Sequence, residues 1–285
     1  DISYISSLEY HRGEIFLLDN HCLFKFVVEN FKSNLTFSKY LSYGRNGNGN
    51  VRDPSDINLI NGEIFINDNK NYLIQVYDLK MNFLYQIGSK GEDLGKFDLP
   101  ISSFVYDELL FINDKNNDRI LSLNTRERKC KEILCDEFQD GDLRRPSGLA
   151  SNKDGHIYVS DRSNGVIQIF NKNLDFLRIL KIKNINLRRP SSVCLIKYCD
   201  GYLIAVIERI SSQNTNIGLY RLSEDGFEAN IFKEFKKEIN LNDSQDMVAS
   251  KNNTIYIADT LNRRIINIDI KGNVLNEVDM SKISG

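Results

Sequence analysis

Arginines stand close to the prolines at three places in the chain. Arg144 and Arg145 directly precede Pro146, Arg188 and Arg189 directly precede Pro190, and Arg52 comes two residues before Pro54. Guanidinium groups bind carboxylates and phosphates through paired, charge-assisted hydrogen bonds. We therefore predict a partner-binding surface made by these five arginines. The alternative is a solvated rim in which they pair with Asp53, Asp98, Asp142 and Asp243.

A second group consists of an aspartate followed three residues later by an asparagine. It occurs four times, as Asp68 with Asn71, Asp114 with Asn117, Asp161 with Asn164, and Asp259 with Asn262. Such side chains bond the nearby backbone and tolerate tight-turn dihedral angles. The spacing predicts a structural turn motif. A ring of acids that binds a cation is the alternative.

The elements that carry these residues repeat along the chain. Acidic residues follow short apolar stretches at positions 19, 68, 114, 161, 208 and 259, so the repeat recurs every 46 to 51 residues. A period of this length is typical of a solenoid, a propeller or an array. All four prolines stand where a repeat begins, which suits the first residue of a strand because proline has no amide donor.

The second strand of each repeat is apolar on both faces, as in Ile64–Ile66, Ile157–Val159 and Ile255–Ile257. Continuous apolar strands indicate sheets that are covered on both sides. We predict one all-β domain over residues 1–285, a six-bladed β-propeller of four-stranded antiparallel blades. The predicted blades are 2–49, 50–98, 99–145, 146–189, 190–243 and 244–285.

The fourth repeat resembles the NHL repeat in its segments Pro146–Ala150, Asp154–Asp161 and Val166–Phe170. The segment Ile87–Pro100 is similar to the sequence that joins repeats in the same family. This resemblance implies a six-bladed β-propeller. It implies several functions, because NHL-like propellers bind RNA, bind proteins, act as sensor domains or, in one branch, cleave peptidyl-hydroxyglycine with a bound metal.

The composition of the chain argues against some of these functions. The net charge is -2, which argues against coating nucleic acid or an anionic membrane with the whole surface. The chain lacks an apolar run long enough to cross a bilayer, so we expect no membrane insertion. The odd number of cysteines, five, favours a cytoplasmic location over a disulfide framework, although a cleaved signal peptide remains an alternative.

The chain has three histidines, His11, His21 and His156, and their positions in the repeat place them at different strand ends. We therefore expect no metal site, no cofactor and no catalytic residue. The resulting hypothesis is a non-catalytic binding or scaffold module that engages a protein or peptide through the arginines. RNA or another polyanion on the same rim is the alternative, and a lyase or hydrolase in the propeller channel is the third. The oligomeric state stays open.

Overall fold

The computed structural model describes residues 4–12, 14–20, 22–29, 34–42, 49–133, 141–211, 214–235, 239–250 and 252–280. Nearly all of its regular structure is β-strand. One short 3-10 turn, Lys115–Asn117, lies between two of the strands. The predicted all-β class is confirmed.

The strands form six sheets, numbered here in chain order. A first compact unit extends to Glu132 and includes Met280, and it holds sheets 1 to 3. Sheet 1 comprises β1 (Ile5–His11), β2 (Glu14–Asp19), β3 (Cys22–Glu29) and β4 (Asn34–Ser42). Sheet 2 comprises β5 (Pro54–Ile60), β6 (Glu63–Asp68), β7 (Leu73–Asp78) and β8 (Phe83–Ile87). Sheet 3 comprises β9 (Pro100–Tyr106), β10 (Leu109–Asp114), β11 (Arg119–Asn124) and β12 (Lys129–Ile133).

The second unit, Ile133–Asp279, holds sheets 4 to 6. Sheet 4 comprises β13 (Pro146–Ser151), β14 (Ile157–Asp161), β15 (Val166–Phe170) and β16 (Phe176–Ile179). Sheet 5 comprises β18 (Pro190–Tyr198), β19 (Gly201–Arg209), β20 (Thr215–Leu222) and β21 (Glu228–Glu234), with the short β17 (Lys181–Ile182) parallel to β21. Sheet 6 comprises β22 (Asp246–Ala249), β23 (Thr254–Asp259), β24 (Arg264–Asp269) and β25 (Val274–Asp279).

Strands that follow one another in the chain pair antiparallel within each sheet. Each proline begins the first strand of its sheet, as predicted. Sheet 6 begins differently, because its first strand starts at Asp246 rather than at the predicted Ser244. Ser244 instead bonds through its side chain and its amide, to Asp259 Oδ1 (3.2 Å) and Thr215 Oγ1 (3.4 Å).

The core of each unit lies between successive sheets. In sheet 2, Ile64 and Ile66 belong to an apolar cluster shared with Phe16 of sheet 1. Phe65, between them in the strand, belongs to the cluster shared with Leu110 of sheet 3. Neighbouring side chains of a strand point to opposite faces, so β6 is buried on both sides. Burying one such side chain contributes about 1.5–3 kcal/mol.

The second unit repeats this arrangement around β19. Its alternate residues pack towards sheet 4 through Ile204 and Val206, and towards sheet 6 through Leu203 and Ala205. The continuous apolar runs read in the sequence therefore correspond to middle strands with two covered faces.

Candidate functional site

The acidic residue at the end of each second strand holds the segment that leads into the first strand of its own sheet. Each of the six carboxylates accepts a backbone N–H from that segment at 2.7–3.1 Å. The pairs are Asp19 with Tyr4, Asp68 with Arg52, Asp114 with Asp98, Asp161 with Arg144, Glu208 with Arg188, and Asp259 with Asn242. These carboxylates therefore hold the backbone at three of the predicted arginines, Arg52, Arg144 and Arg188, in place.

The four asparagines of the turn motif bond the same aspartates. The Nδ2 groups of Asn71, Asn117, Asn164 and Asn262 lie 2.7–2.8 Å from Oδ2 of Asp68, Asp114, Asp161 and Asp259. All four aspartates are fully buried. Burial raises the pKa of Asp68, Asp114 and Asp161, while the hydrogen bonds they accept oppose that rise. This geometry closes a turn in each of the four sheets.

In five sheets a residue of the segment before the first strand adopts a left-handed backbone, directly before the strand in sheets 2 to 5 and three residues before it in sheet 6. The residues and their φ angles are Asp53 (59°), Leu99 (72°), Arg145 (53°), Arg189 (47°) and Asp243 (50°). This conformation costs a non-glycine residue roughly 1 kcal/mol or more. The carboxylate that anchors the preceding amide offsets the cost.

Four of the five predicted arginines stand at the matching ends of sheets 4 and 5, directly before the first strand of each sheet. Arg144, Arg145, Arg188 and Arg189 are all exposed. The first strands that follow them are joined by a hydrogen bond from Ser147 Oγ to the carbonyl of Pro190 (3.0 Å). Arg52 is also exposed, at the equivalent position before sheet 2 of the first unit.

Two further arginines, which the sequence analysis did not single out, lie beside them. Arg162 follows Asp161, and Arg209 follows Glu208, at the ends of β14 and β19. The N–H of Ser163 donates to the carbonyl of Arg144 (3.1 Å), and the N–H of Arg209 donates to the carbonyl of Arg189 (3.4 Å). Their sequence signal was the position directly after the repeating acid.

Charge in this region is predominantly positive. Burial lowers the pKa of Arg162, and the positive charges of Arg209, Arg145 and Arg189 lower it further, while Asp243 opposes them. The Nε of Arg209 is buried without a hydrogen-bond partner. We call Arg144, Arg145, Arg162, Arg188, Arg189 and Arg209 the arginine face.

Acidic residues neutralise this face only in part. Arg209 Nη2 lies 2.5 Å from Asp243 Oδ1, and Arg144 Nε lies 3.8 Å from Asp142 Oδ2. Among the described residues, no carboxylate lies within 4.0 Å of the guanidinium of Arg162, Arg188 or Arg189. Asp53, another expected partner, pairs instead with Lys70 at 3.8 Å.

The histidines are dispersed in the part of the chain that the structure describes. His11 ends β1, His156 contacts Asn152 (3.4 Å) and the ring of Phe227, and His21 lies outside the described residues. Within the described ranges, no three His, Cys, Asp or Glu side chains are grouped closely enough to hold a metal ion. In the described part of the chain, no helix has the length and the apolar character that a membrane span requires.

Comparison with known proteins supports the predicted resemblance. Residues 143–170 match the NHL repeat, so the chain contains an NHL repeat where the motif was read. No curated protein sequence is significantly similar to the chain.

Solved structures resemble the whole chain. Virginiamycin B lyase from Staphylococcus aureus aligns with a TM-score of 0.65 at 13% identity, over 100% of this chain and 86% of that one. A protein described as a putative 6-phosphogluconolactonase from Bacteroides fragilis aligns with a TM-score of 0.62 at 11% identity, over 96% and 83%. A protein of unknown function from Desulfotomaculum acetoxidans aligns with a TM-score of 0.63 at 13% identity, over 96% and 85%. The predicted six-bladed β-propeller is confirmed.

One expectation from the sequence is wrong. We expected that the chain is not an enzyme, because its three histidines fall at different strand ends and no catalytic residue was recognised. Structures with this fold include a lyase and a protein described as a lactonase. Enzymes therefore use the same fold, and the fold provides no argument against catalysis.

Proposed function

We propose that this NHL-repeat β-propeller binds an acidic segment of a protein partner through the arginine face. One observation carries the proposal: six arginines stand at the matching ends of sheets 4 and 5 of the second unit, and the guanidinium groups of Arg162, Arg188 and Arg189 have no carboxylate of the described chain within ion-pair distance. Like charges held together favour a ligand of opposite sign.

The chemistry of arginine suits such a ligand. Each guanidinium presents five donors in a planar fork that matches a carboxylate. Arg188 and Arg189 are exposed and their guanidinium groups have no ion-pair partner in the described structure. An acidic side chain that binds there displaces no internal ion pair, so the full charge-assisted contact is available to the complex.

The surrounding residues favour a polypeptide over RNA. Single-stranded RNA is usually held by aromatic side chains on which the bases stack. The segments that carry the arginine face, 141–146, 161–165, 187–190 and 208–211, contain no aromatic residue. Backbone phosphates alone would give binding that is weakly specific and strongly salt-dependent.

The test compares two variants of equal charge. Arg145→Gln/Arg189→Gln removes two charges from the arginine face. Lys172→Gln/Lys271→Gln removes two exposed charges from turns of sheets 4 and 6 that lie at the other ends of the strands. Binding of a fluorescent ten-residue peptide rich in aspartate and glutamate would be measured by polarisation. We expect the arginine variant to bind about tenfold more weakly, since two exposed ion pairs contribute about 1–2 kcal/mol.

The control variant should retain wild-type affinity for the peptide. Equal loss in both variants would show a diffuse charge effect and would contradict the proposal. A single-stranded RNA of ten nucleotides serves as the competing ligand. Tighter binding of the RNA, with a steep loss between 50 and 200 mM salt as expected for counterion release, would overturn the polypeptide assignment.

A further inference from the structure

The buried aspartate of the turn motif accepts a hydrogen bond from an arginine in two sheets and from a glutamine in two others. In sheets 3 and 6 an arginine donates to it through Nε, Arg119 to Asp114 (2.9 Å) and Arg264 to Asp259 (2.7 Å). In sheets 2 and 4 a glutamine donates through Nε2, Gln75 to Asp68 (3.3 Å) and Gln168 to Asp161 (2.7 Å).

The arginine and the glutamine occupy different positions in the third strand of their sheets. The arginine stands opposite the aspartate in the strand pairing, where sheets 2 and 4 have Leu73 and Val166. The glutamine stands two residues later, where the arginine-bearing sheets have Leu121 and Ile266. Residues two apart in a strand share a face. The chain therefore carries either an arginine with an apolar residue or an apolar residue with a glutamine.

Sheet 6 shows what surrounds the arginine. Nη2 of Arg264 donates to the carbonyls of Ile239 (2.9 Å) and Asn240 (3.2 Å), and Nη1 donates to Glu277 (3.0 Å). The carbonyl of Asn240 also accepts Nδ2 of Asn262 (2.9 Å). The guanidinium thus fills the space between the buried aspartate, the loop before the sheet and the outer strand.

Sheet 2 has a cavity of about 340 Å³, lined by Asn50, Arg52, Asn71, Leu73, Gln75 and Gln86. The cavity opens to solvent, so a ligand can enter it.

The lining corresponds to the surroundings of Arg264. Asn50 matches Asn240, since its carbonyl accepts the turn asparagine Asn71 (2.7 Å). Gln86 pairs with Gln75 in the strand register as Glu277 pairs with Ile266. Leu73 stands at the position of the arginine itself. The cavity therefore lies where a guanidinium lies in sheet 6.

One buried acceptor lies in the wall of the cavity and a buried carboxylate lies behind that wall. Oε1 of Gln75 is buried without a hydrogen-bond partner. Asp68 is fully buried and, among the described residues, accepts hydrogen bonds only from neutral donors, the amides of Arg52, Asn71 and Gln75. In sheet 4 the Oε1 of Gln168 is likewise buried without a partner, but Gln168 Nε2 also donates to the carbonyl of Asp142 (2.8 Å), a contact to the preceding loop that Gln75 does not make among the described residues.

We propose that the cavity of sheet 2 binds a guanidinium group, as the equivalent space of sheet 6 holds that of Arg264. The ligand directs its donors at Gln75 Oε1 and at the carbonyl of Asn50, and its aliphatic part packs against Leu73. The buried carboxylate of Asp68 lies behind Gln75, which donates to it, and attracts the positive charge of the ligand from there. An arginine side chain of a bound polypeptide and a small free guanidinium compound share this chemistry. An anion fits poorly because it would face the uncompensated charge of Asp68.

Arg52 is the one cation of the lining, and its side chain is exposed. It stands where sheet 6 has Asn242, since both donate their backbone N–H to the buried aspartate. Water screens an exposed charge much more than a buried one. Arg52 therefore weakens the affinity for a guanidinium without reversing the preference.

The first experiment uses three small probes with the full chain. They are the N-acetyl amides of arginine, of citrulline, which is its neutral isostere, and of lysine. Binding would be followed by isothermal titration calorimetry near pH 7. We expect the arginine derivative to bind at least tenfold more tightly than the citrulline derivative, with lysine in between because it lacks the planar fork.

Variants that copy sheet 6 provide the second experiment. Leu73→Arg/Gln75→Ile places an internal guanidinium in the cavity, so it should abolish binding of the arginine derivative and raise the melting temperature by a few degrees. Arg52→Asn and Gln86→Glu should each tighten binding severalfold. These two single substitutions alter exposed residues, so they test the site even if the double variant fails to fold.

A third comparison identifies the source of the guanidinium. A five-residue peptide with one central arginine would be compared with agmatine. Tighter binding of the peptide indicates a polypeptide ligand, and tighter binding of agmatine indicates a free guanidinium compound. Burial raises the pKa of Asp68, so binding should be lost on acidification at a higher pH than an exposed aspartate would give. Equal affinity for arginine and citrulline derivatives in wild type and in Gln86→Glu would overturn the proposal.

Discussion

The guanidinium of Arg209 lies 2.5 Å from the carboxylate of Asp243, measured from Nη2 to Oδ1. Arg209 ends the second strand of sheet 5, and Asp243 precedes the first strand of sheet 6. The side chains are 17% and 13% exposed. This ion pair sets one negative charge among the mutually repelling arginines of the arginine face.

Replacing that acid should change stability and binding in opposite directions. Asp243→Asn retains a residue that tolerates the left-handed backbone and removes only the charge. We expect the free energy of unfolding to fall by about 1–3 kcal/mol, because the mostly buried guanidinium of Arg209 loses its ion-pair partner. Affinity for the acidic peptide should rise severalfold. Urea unfolding and polarisation would measure the two effects, and weaker peptide binding would contradict the proposed role of the face.

Replacing Arg162 should weaken peptide binding without lowering the stability of the protein. Arg162→Gln relieves the repulsion from Arg145, Arg189 and Arg209 that lowers its pKa. We expect stability to stay within about 0.5 kcal/mol or to rise, while affinity for the acidic peptide falls about threefold or more. Arg162→Lys keeps the charge and is the matched control. A large loss of stability in Arg162→Gln would show that the side chain serves packing instead.

Gly148 lies where sheets 4 and 5 pack closely together, and a substitution there tests that packing. A Cβ at Gly148 would lie 2.8 Å from the Cα of Ser192 and 2.9 Å from the backbone N of Val193. Both contacts are with backbone, so Gly148→Ala should destabilise by about 1–3 kcal/mol. Gly201→Ala is the control, because nothing lies within 4 Å of its Cβ. Similar urea midpoints for the two variants would show that the strands can separate without cost.

Asp56 connects three sheets of the first unit. It accepts Ser7 Oγ of sheet 1 (2.7 Å) and the N–H of Ser103 of sheet 3 (2.5 Å), and it is buried. Asp56→Asn would direct an amide donor at one of these donors, so we expect a loss of about 3 kcal/mol. The exposed Asp107→Asn should change stability by less than about 0.5 kcal/mol. Equal effects on the thermal midpoint would argue against the connecting role of Asp56.

Local chemistry accounts for how well the sequence predicted the fold. Proline can begin a strand but cannot sit in its ladder, so Pro54, Pro100, Pro146 and Pro190 marked four strand starts. Apolar runs on both faces marked the buried middle strands. Sheet 6 has no proline, and there the predicted start was two residues too early because Ser244 bonds through its side chain. The parallel pairing of β17 with β21 had no local signal.

The site was less predictable because it depends on residues far apart in sequence. The pairs before Pro146 and Pro190 were conspicuous, but Arg162 and Arg209 are single arginines that stand 47 residues apart. Only the alignment of repeats brings them to equivalent positions, and only the packing of sheets 4 and 5 brings them together. The partners of the face, its peptide ligand and the single-domain extent over residues 1–285 remain predictions.

The arginine and glutamine arrangements beside the buried aspartate are two opposite corners of a double-mutant cycle. Leu73 with Gln75 and Arg264 with Ile266 are two accepted combinations of the same pair of positions. The mixed combinations, arginine with glutamine or two apolar residues, would crowd the carboxylate with donors or leave it short of one. We therefore expect the two positions to be coupled in these four sheets, so that the effect of exchanging one residue depends on the residue at the other position.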